Sequence, residues 1–345
     1  VTKRSVHLKI KQVMENQIIQ DYGTTVSPEE YINALQGHQY IPQADQCILN
    51  VVKNHVNENA EAKIIDLGCG PGRLSLRLAQ STKGIVVGAD ISESFINYAI
   101  SSIVELKEPI INKRVLFACV DFVAEIPNRN SLEQTWNIFT WHGAIDCIVM
   151  QGVMHHIHGE DRAKFLKKSF DLLKPGGILV IGDEFIKEYD YEDARIFNVI
   201  NFYLHIIDEA RKGGFDELAK KEAKNLIDDC FPGTNFSDHA TEKTFEHIYQ
   251  CAQTINQIFY SHGSVALSNN DEAHNKRLSM FTAMKHSDEH LVDLSTKNFN
   301  RGTYKISPNV FIKELSLYGF VLEKKYEIGP VKQLGGMGVL VFKKV

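Results

Sequence analysis

The stretch from Lys63 to Arg73, Lys-Ile-Ile-Asp-Leu-Gly-Cys-Gly-Pro-Gly-Arg, limits the fold more than any other part of this chain. Ile64, Ile65 and Leu67 make an apolar run of the kind carried by a parallel strand buried on both faces. Gly68, Gly70 and Gly72 then alternate with other residues. Leu74, Leu76, Leu78 and Ala79 follow in a segment that reads as a helix. Strand, glycine turn and helix together aim free backbone N–H groups and a positive helix end at an anionic ligand group. Glycine allows positive φ and lets a ligand approach the backbone closely.

The spacing narrows the ligand. A dinucleotide fingerprint needs Gly-x-Gly-x-x-Gly or Ala, but Arg73 stands three residues after Gly70. No Gly-Lys-Ser/Thr follows, so the Walker pattern fails as well. What remains is Asp66-x-Gly68-x-Gly70-x-Gly72, which resembles the first motif of class I S-adenosylmethionine-dependent methyltransferases. The resemblance continues in order through Leu173-Lys174-Pro175-Gly176-Gly177 and the strand ending at Asp183-Glu184. It covers about 61–183 strongly and 307–345 more weakly. It implies an α/β fold: a Rossmann-like sheet of about seven strands with helices on both faces; it leaves unexplained a mostly helical stretch that reads as an inserted cap. The expected parts are an N-terminal helical cap (1–60), the cofactor domain (61–184 and 305–345) and an insertion (185–304) forming a substrate cap.

Site residues follow from strand ends, because ligands of open α/β sheets bind outside the carboxyl ends of the strands. Gly84 to Asp90 reads as a second strand. Asp90 lies at about the distance from the turn at which an acid meets ribose hydroxyls, and a carboxylate can accept from two neighbouring hydroxyls at once. Ile91 is its neighbour. A third strand ends at Asp121-Phe122; in the resembled family an acid here accepts from the adenine amino group, and Phe122 packs on the ring. A fourth strand, Ala144 to Met150, leads into Gln151-Gly152-Val153-Met154-His155-His156. Gln151 and Val153 are placed to touch the cofactor. With Asp66, Gly68, Cys69, Gly70 and Gly72 these form the expected cofactor set, and S-adenosyl-L-methionine is the implied cofactor. Displacement at a sulfonium methyl needs mainly alignment and exclusion of water. A base is needed only where the nucleophile must first lose a proton. His155, His156, Asp183 and Glu184 are the candidates by position.

Ser27-Pro28-Glu29-Glu30 is a strong helix start. A second helix is expected over Asp45 to Val56, with Tyr40 and Gln43 in the loop before it as possible reaches toward the cofactor. Ser307-Pro308 starts a helix near the end of the chain. Phe320 to Ile328 and Gly338 to Lys343 read as a closing β-pair. Helical stripes at Ile196–Ile207 and Phe245–Phe259 suggest the inserted cap, whose aromatics, Tyr203 and Phe259 among them, suit an apolar pocket. His286 and His290 have metal-ligand spacing but no third ligand at a telling distance, so a solvated helix face is the expectation and no metal is assigned.

The 345 residues are 43% apolar with a formal net charge of −5. No Lys/Arg run marks a nucleic-acid partner, and no apolar run approaches the roughly 18 residues of a membrane helix. Val1-Thr2-Lys3-Arg4 leads into no apolar segment of a signal peptide. Six scattered cysteines without a Cys-x-x-Cys pair suggest reduced thiols and a cytoplasmic protein. The reading is therefore a methyltransferase acting on an oxygen or nitrogen of a small molecule, with a homodimer as a possibility. The alternatives are a protein methyltransferase docking through the insertion and a non-catalytic nucleotide-binding or dimerisation module.

Overall fold

The computed structural model describes residues 26–37, 40–106, 113–123, 126–127, 138–157, 159–190, 194–195, 198, 305–329 and 335–345. The readings on 201–304, including the Phe245 stripe, the aromatic set and the His286/His290 pair, lie outside these residues. So does Trp136.

In chain order the described elements are α1 (Pro28–Gly37), α2 (Ile41–Val56), β1 (Lys63–Leu67), α3 (Arg73–Ser81), β2 (Ile85–Asp90), α4 (Glu93–Leu106) and β3 (Val115–Asp121). They continue with β4 (Ile126–Pro127), β5 (Ile145–Gln151), α5 (Gly159–Leu172), β6 (Leu173–Ile186), α6 (Pro308–Ser316), β7 (Phe320–Glu327) and β8 (Gly335–Lys344). The strands form one sheet in the order β4-β3-β2-β1-β5-β6-β8-β7. This is the expected seven-stranded sheet with a two-residue strand, β4, added antiparallel at one edge. β3, β2, β1, β5 and β6 run parallel, and β8 and β7 close the other edge antiparallel.

Strand residues alternate between the faces, and each face is covered. Ile64, Val86, Val149 and Val180 point into one core with Ile48 and Val52 of α2 and Leu78 of α3. Ile65, Val87, Ile148 and Ile181 point into the other, with Phe165 and Leu166 of α5 and Phe311 of α6. That double cover explains the unbroken apolar runs. The parity also sends Asp66, like Ile64, under α3.

The helix signals hold where the chemistry is local. Ser307 caps α6, its hydroxyl accepting from Val310 N–H, and α1 starts at Pro28. α2 begins at Ile41, four residues before the expected start, because Pro42 suits the first turn of a helix. The chain runs from β1 out to β3 on one side and returns to β5 on the other. The sheet therefore has its topological switch between β1 and β5, where a crevice opens beyond the strands' carboxyl ends.

Candidate functional site

The glycine turn after β1 adopts the backbone its sequence demands: φ is +70° at Gly68, +53° at Gly70 and +81° at Gly72. Its N–H groups are not aimed outward, however. Gly68 and Cys69 donate to the Ala89 carbonyl, Gly70 donates to the Asp90 carboxylate at 2.8 Å, and Gly72 donates to the Cys69 carbonyl. Within the turn itself the expected anion cradle of free N–H groups is not formed, because the end of β2 claims three of the four and the Cys69 carbonyl takes the fourth. Gly72 has a packing reason as well: a β-carbon there would lie 2.5 Å from the Phe117 ring.

The crevice runs from this turn along the ends of β2 and β3. Gly68, Gly70, Asp90, Ile91, Asp121 and Phe122 line it, with Val153 and His156 from the loop after β5. Asp90 is oriented by two backbone donors, Gly70 N–H on one oxygen and Ser92 N–H on the other. These two bonds fix the direction in which the carboxylate is aimed. Asp121 accepts from Val123 N–H. Beside it, Phe122 packs on Phe165 of α5 in an edge-to-face contact at 4.7 Å, giving that end of the crevice a flat apolar slot. Among the described residues two acids and no Lys or Arg line the crevice.

Sequence reasoning missed Tyr31. It stands on α1, lines the crevice, and lies 5.2 Å from the Phe95 ring. Burial pushes its phenol up to about 12 against the pull of Arg73, with Asp90, Asp45 and Asp66 adding to the rise. The residues expected in this role are elsewhere. Tyr40 packs against Gly329, and Gln43 faces a separate groove beside Tyr326. The early start of α2 is the cause, since it takes Gln43 out of the loop. Arg73 ties α3 to α2 through buried Asp45, which also takes Arg77 at 2.8 Å.

Four of the expected cofactor residues do not line the crevice. Asp66 is buried under α3, where the Ser75 hydroxyl donates to it at 2.6 Å. Burial pushes its carboxyl up to about 7, with the Ser75 bond opposing. Cys69 is buried in the core, and Gly72 sits at the N-terminus of α3. Gln151 turns its side chain toward Gly182 and Met337, and its carbonyl oxygen is buried with no hydrogen-bond partner among the described residues.

The loop after β5 is fixed by Asp183. One carboxylate oxygen accepts from Met154 N–H and His155 N–H, at 2.9 and 3.2 Å. The other pairs with His155 Nδ1 at 2.6 Å and accepts from Glu184 N–H at 2.7 Å. Burial raises the Asp183 carboxyl, but His155, Lys305 and the Glu184 N–H together outweigh it and hold the group below its ordinary value. His155 is therefore a brace between the loop and β6, while His156, its ring tilted against that of His155 with centroids 4.0 Å apart, faces the crevice. Glu184 pairs with Lys305, whose side chain is fully buried. Of the four base candidates, His155, His156, Asp183 and Glu184, only His156 lines the crevice.

Residues 58–190 match the model of a methyltransferase domain. Among curated proteins, N-terminal Xaa-Pro-Lys N-methyltransferase 1 of Ailuropoda melanoleuca is 25% identical over 178 residues, which is 51% of this chain and 71% of that protein. A methyltransferase of uncharacterised activity from Oceanobacillus iheyensis is 27% identical over 197 residues, 57% of this chain and 75% of that one. Among solved structures, magnesium protoporphyrin IX methyltransferase from Synechocystis PCC 6803 superposes with a TM-score of 0.42 at 14% identity, covering 90% of this chain and 84% of that one.

Proposed function

Because the chain belongs to the class I S-adenosylmethionine-dependent methyltransferases, we propose that it methylates an oxygen or nitrogen of a small molecule. The crevice fits the cofactor. Two carboxylates and no Lys or Arg line it among the described residues, and the turn's N–H groups are already engaged. That lining suits a cation and repels a nucleotide polyphosphate. Asp90 would take the sugar, Asp121 and Phe122 the base, and Gly68, Gly70 and Tyr31 would bound the amino-acid end. The bound cofactor supplies an electrophilic methyl group. The protein's part is to orient it, exclude water and align the acceptor.

One observation carries the small-molecule reading: both acids where β6 passes the end of β5 have internal partners. Asp183 is bound to His155 and three backbone N–H groups, and Glu184 to Lys305. Neither is offered to a protonated amine, so the arrangement supports a neutral oxygen or nitrogen acceptor over the cationic terminus of a peptide. His156 is the side chain placed to take a proton from a hydroxyl or amine acceptor. A second reading, methylation of a protein N-terminus, draws on the curated relative that bears such a name. Incubating the protein with methyl-labelled cofactor and either a metabolite extract or a peptide library separates the two. Label in low-molecular-weight products supports the first reading. Label confined to peptides replaces it with the second.

A further inference from the structure

We propose that Lys168 is a positioning residue for the base-binding end of the crevice, holding the Asp121 carboxylate through a single peptide plane. The proposal rests on the reading that Asp121 accepts from the amino group of the cofactor's base. That slot is apolar on its Phe122 and Phe165 sides and carries one acceptor-only carboxylate, a lining that suits a flat ring bearing an amino donor.

Lys168 comes from α5, 45 residues further along the chain. Its ammonium donates to two consecutive backbone carbonyls, Phe122 at 3.2 Å and Val123 at 2.5 Å. The Phe122 carbonyl belongs to the same peptide unit as the Val123 N–H, and that N–H donates to Asp121 Oδ1 at 2.9 Å. In a planar trans peptide the C=O and N–H point in opposite directions. Lys168 therefore pulls one end of this unit while Asp121 is bound to the other. Rotating the plane away from Lys168 would break both bonds together.

Phe165 lies one helical turn before Lys168, on the same side of α5, and packs on Phe122. One face of α5 thus grips the turn twice, through an aromatic contact and through a charge-assisted pair of hydrogen bonds. The turn follows directly from β3, so its first residue is fixed by the sheet. Its next two are fixed by α5. A lysine suits this task because its ammonium carries three N–H donors that can rotate toward two carbonyl oxygens at once.

The test uses calorimetric titration with S-adenosylhomocysteine and with S-inosylhomocysteine, in which a carbonyl oxygen replaces the amino group. The wild type should prefer the adenine ligand by roughly tenfold or more, the scale of a hydrogen bond to a charged group. Asp121→Asn should relax that preference, since an amide can also donate to the carbonyl. Lys168→Met should weaken the adenine ligand by roughly tenfold and the inosine ligand by less than about twofold. In the Asp121→Asn background Lys168→Met should cost the adenine ligand little more, because the two residues act through one plane. If Lys168→Met fails to fold, Lys168→Gln, with a shorter amide donor, carries the same comparison. Equal loss for both ligands, or additive losses in the double variant, overturns the Lys168 assignment while leaving Asp121 in place. An unchanged ligand preference in Asp121→Asn removes the Asp121 reading, and the Lys168 assignment falls with it.

Discussion

Asp66 and Asp183 stand on two parallel strands of one sheet, β1 and β6, and both are buried, 1% and 2% exposed. Asp66 receives a side-chain hydroxyl bond from Ser75, and its carboxyl rises to about 7. Asp183 receives three backbone N–H groups and an imidazole, with Lys305 nearby, and its carboxyl falls below the ordinary value. Burial raises both groups, so the donors decide the outcome. The difference maps onto what each end of the sheet does. Near β1 the backbone of the glycine turn does the shaping, and Asp66 only pins α3 to the strand. Near β6 a carboxylate does the shaping, holding the loop that brings Val153 and His156 to the crevice.

The largest effect should come from removing the Asp183 hub. Asp183→Ala leaves four donors without their acceptor and should cost about 3–5 kcal/mol in denaturant unfolding, the scale for breaking a buried charged pair. A loss below about 1 kcal/mol would mean that the loop holds without it. Next is Gly72→Ala. Its β-carbon would sit 2.5 Å from Phe117 and 2.8 Å from Ala99, at φ +81°. Overpacking of this kind costs about 1–3 kcal/mol, with about 1–2 kcal/mol more for the left-handed backbone. This variant tests whether the β1 end depends on backbone shape as the β6 end depends on charge.

The two histidines should divide. His155→Ala should cost about 1.5–3 kcal/mol of stability through the lost bond to Asp183. His156→Ala should leave the unfolding midpoint nearly unchanged and reduce turnover. Equal destabilisation by both would contradict the brace. The smallest effect at low pH is Asp66→Asn, which keeps an acceptor for Ser75 and should change stability at pH 4 by no more than about 1 kcal/mol. Its signature is a slope. Because the folded-state value of Asp66 is raised, its contribution is fully present below pH about 4 and is lost as pH rises to about 7. Asp183 has the opposite sign: its contribution is present above pH about 4 and is lost as pH falls through its depressed folded value. Melting curves across pH should therefore lose the decline between about 4 and 7 in Asp66→Asn and lose part of the acid-side fall in Asp183→Asn.

The β1 end was the more legible in sequence because its determinants are local. Three alternating glycines after an apolar run fix a turn, and Asp90 and Asp121 are found by being last on their strands. Asp66 was misplaced because a strand buried on both faces gives no apolar–polar alternation to show where its acid points. Only the layers reveal that α3 lies above it. Three of the engaged N–H groups, those of Gly68, Cys69 and Gly70, were hidden for the same reason, since their acceptors, Ala89 and Asp90, belong to the next strand. Tyr31 and Lys168 act on the crevice from helices whose packing the linear pattern does not state. The division between His155 and His156 depends on Asp183, 28 residues away.

Calorimetric titration with S-adenosylhomocysteine, run in parallel on the wild type and Asp90→Ala, tests the assignment of the crevice most directly. One ligand should bind per chain, and Asp90→Ala should weaken it by about 1–3 kcal/mol, the scale of hydrogen bonds to a charged group. Absence of binding, or equal affinity in the two proteins, would contradict the account.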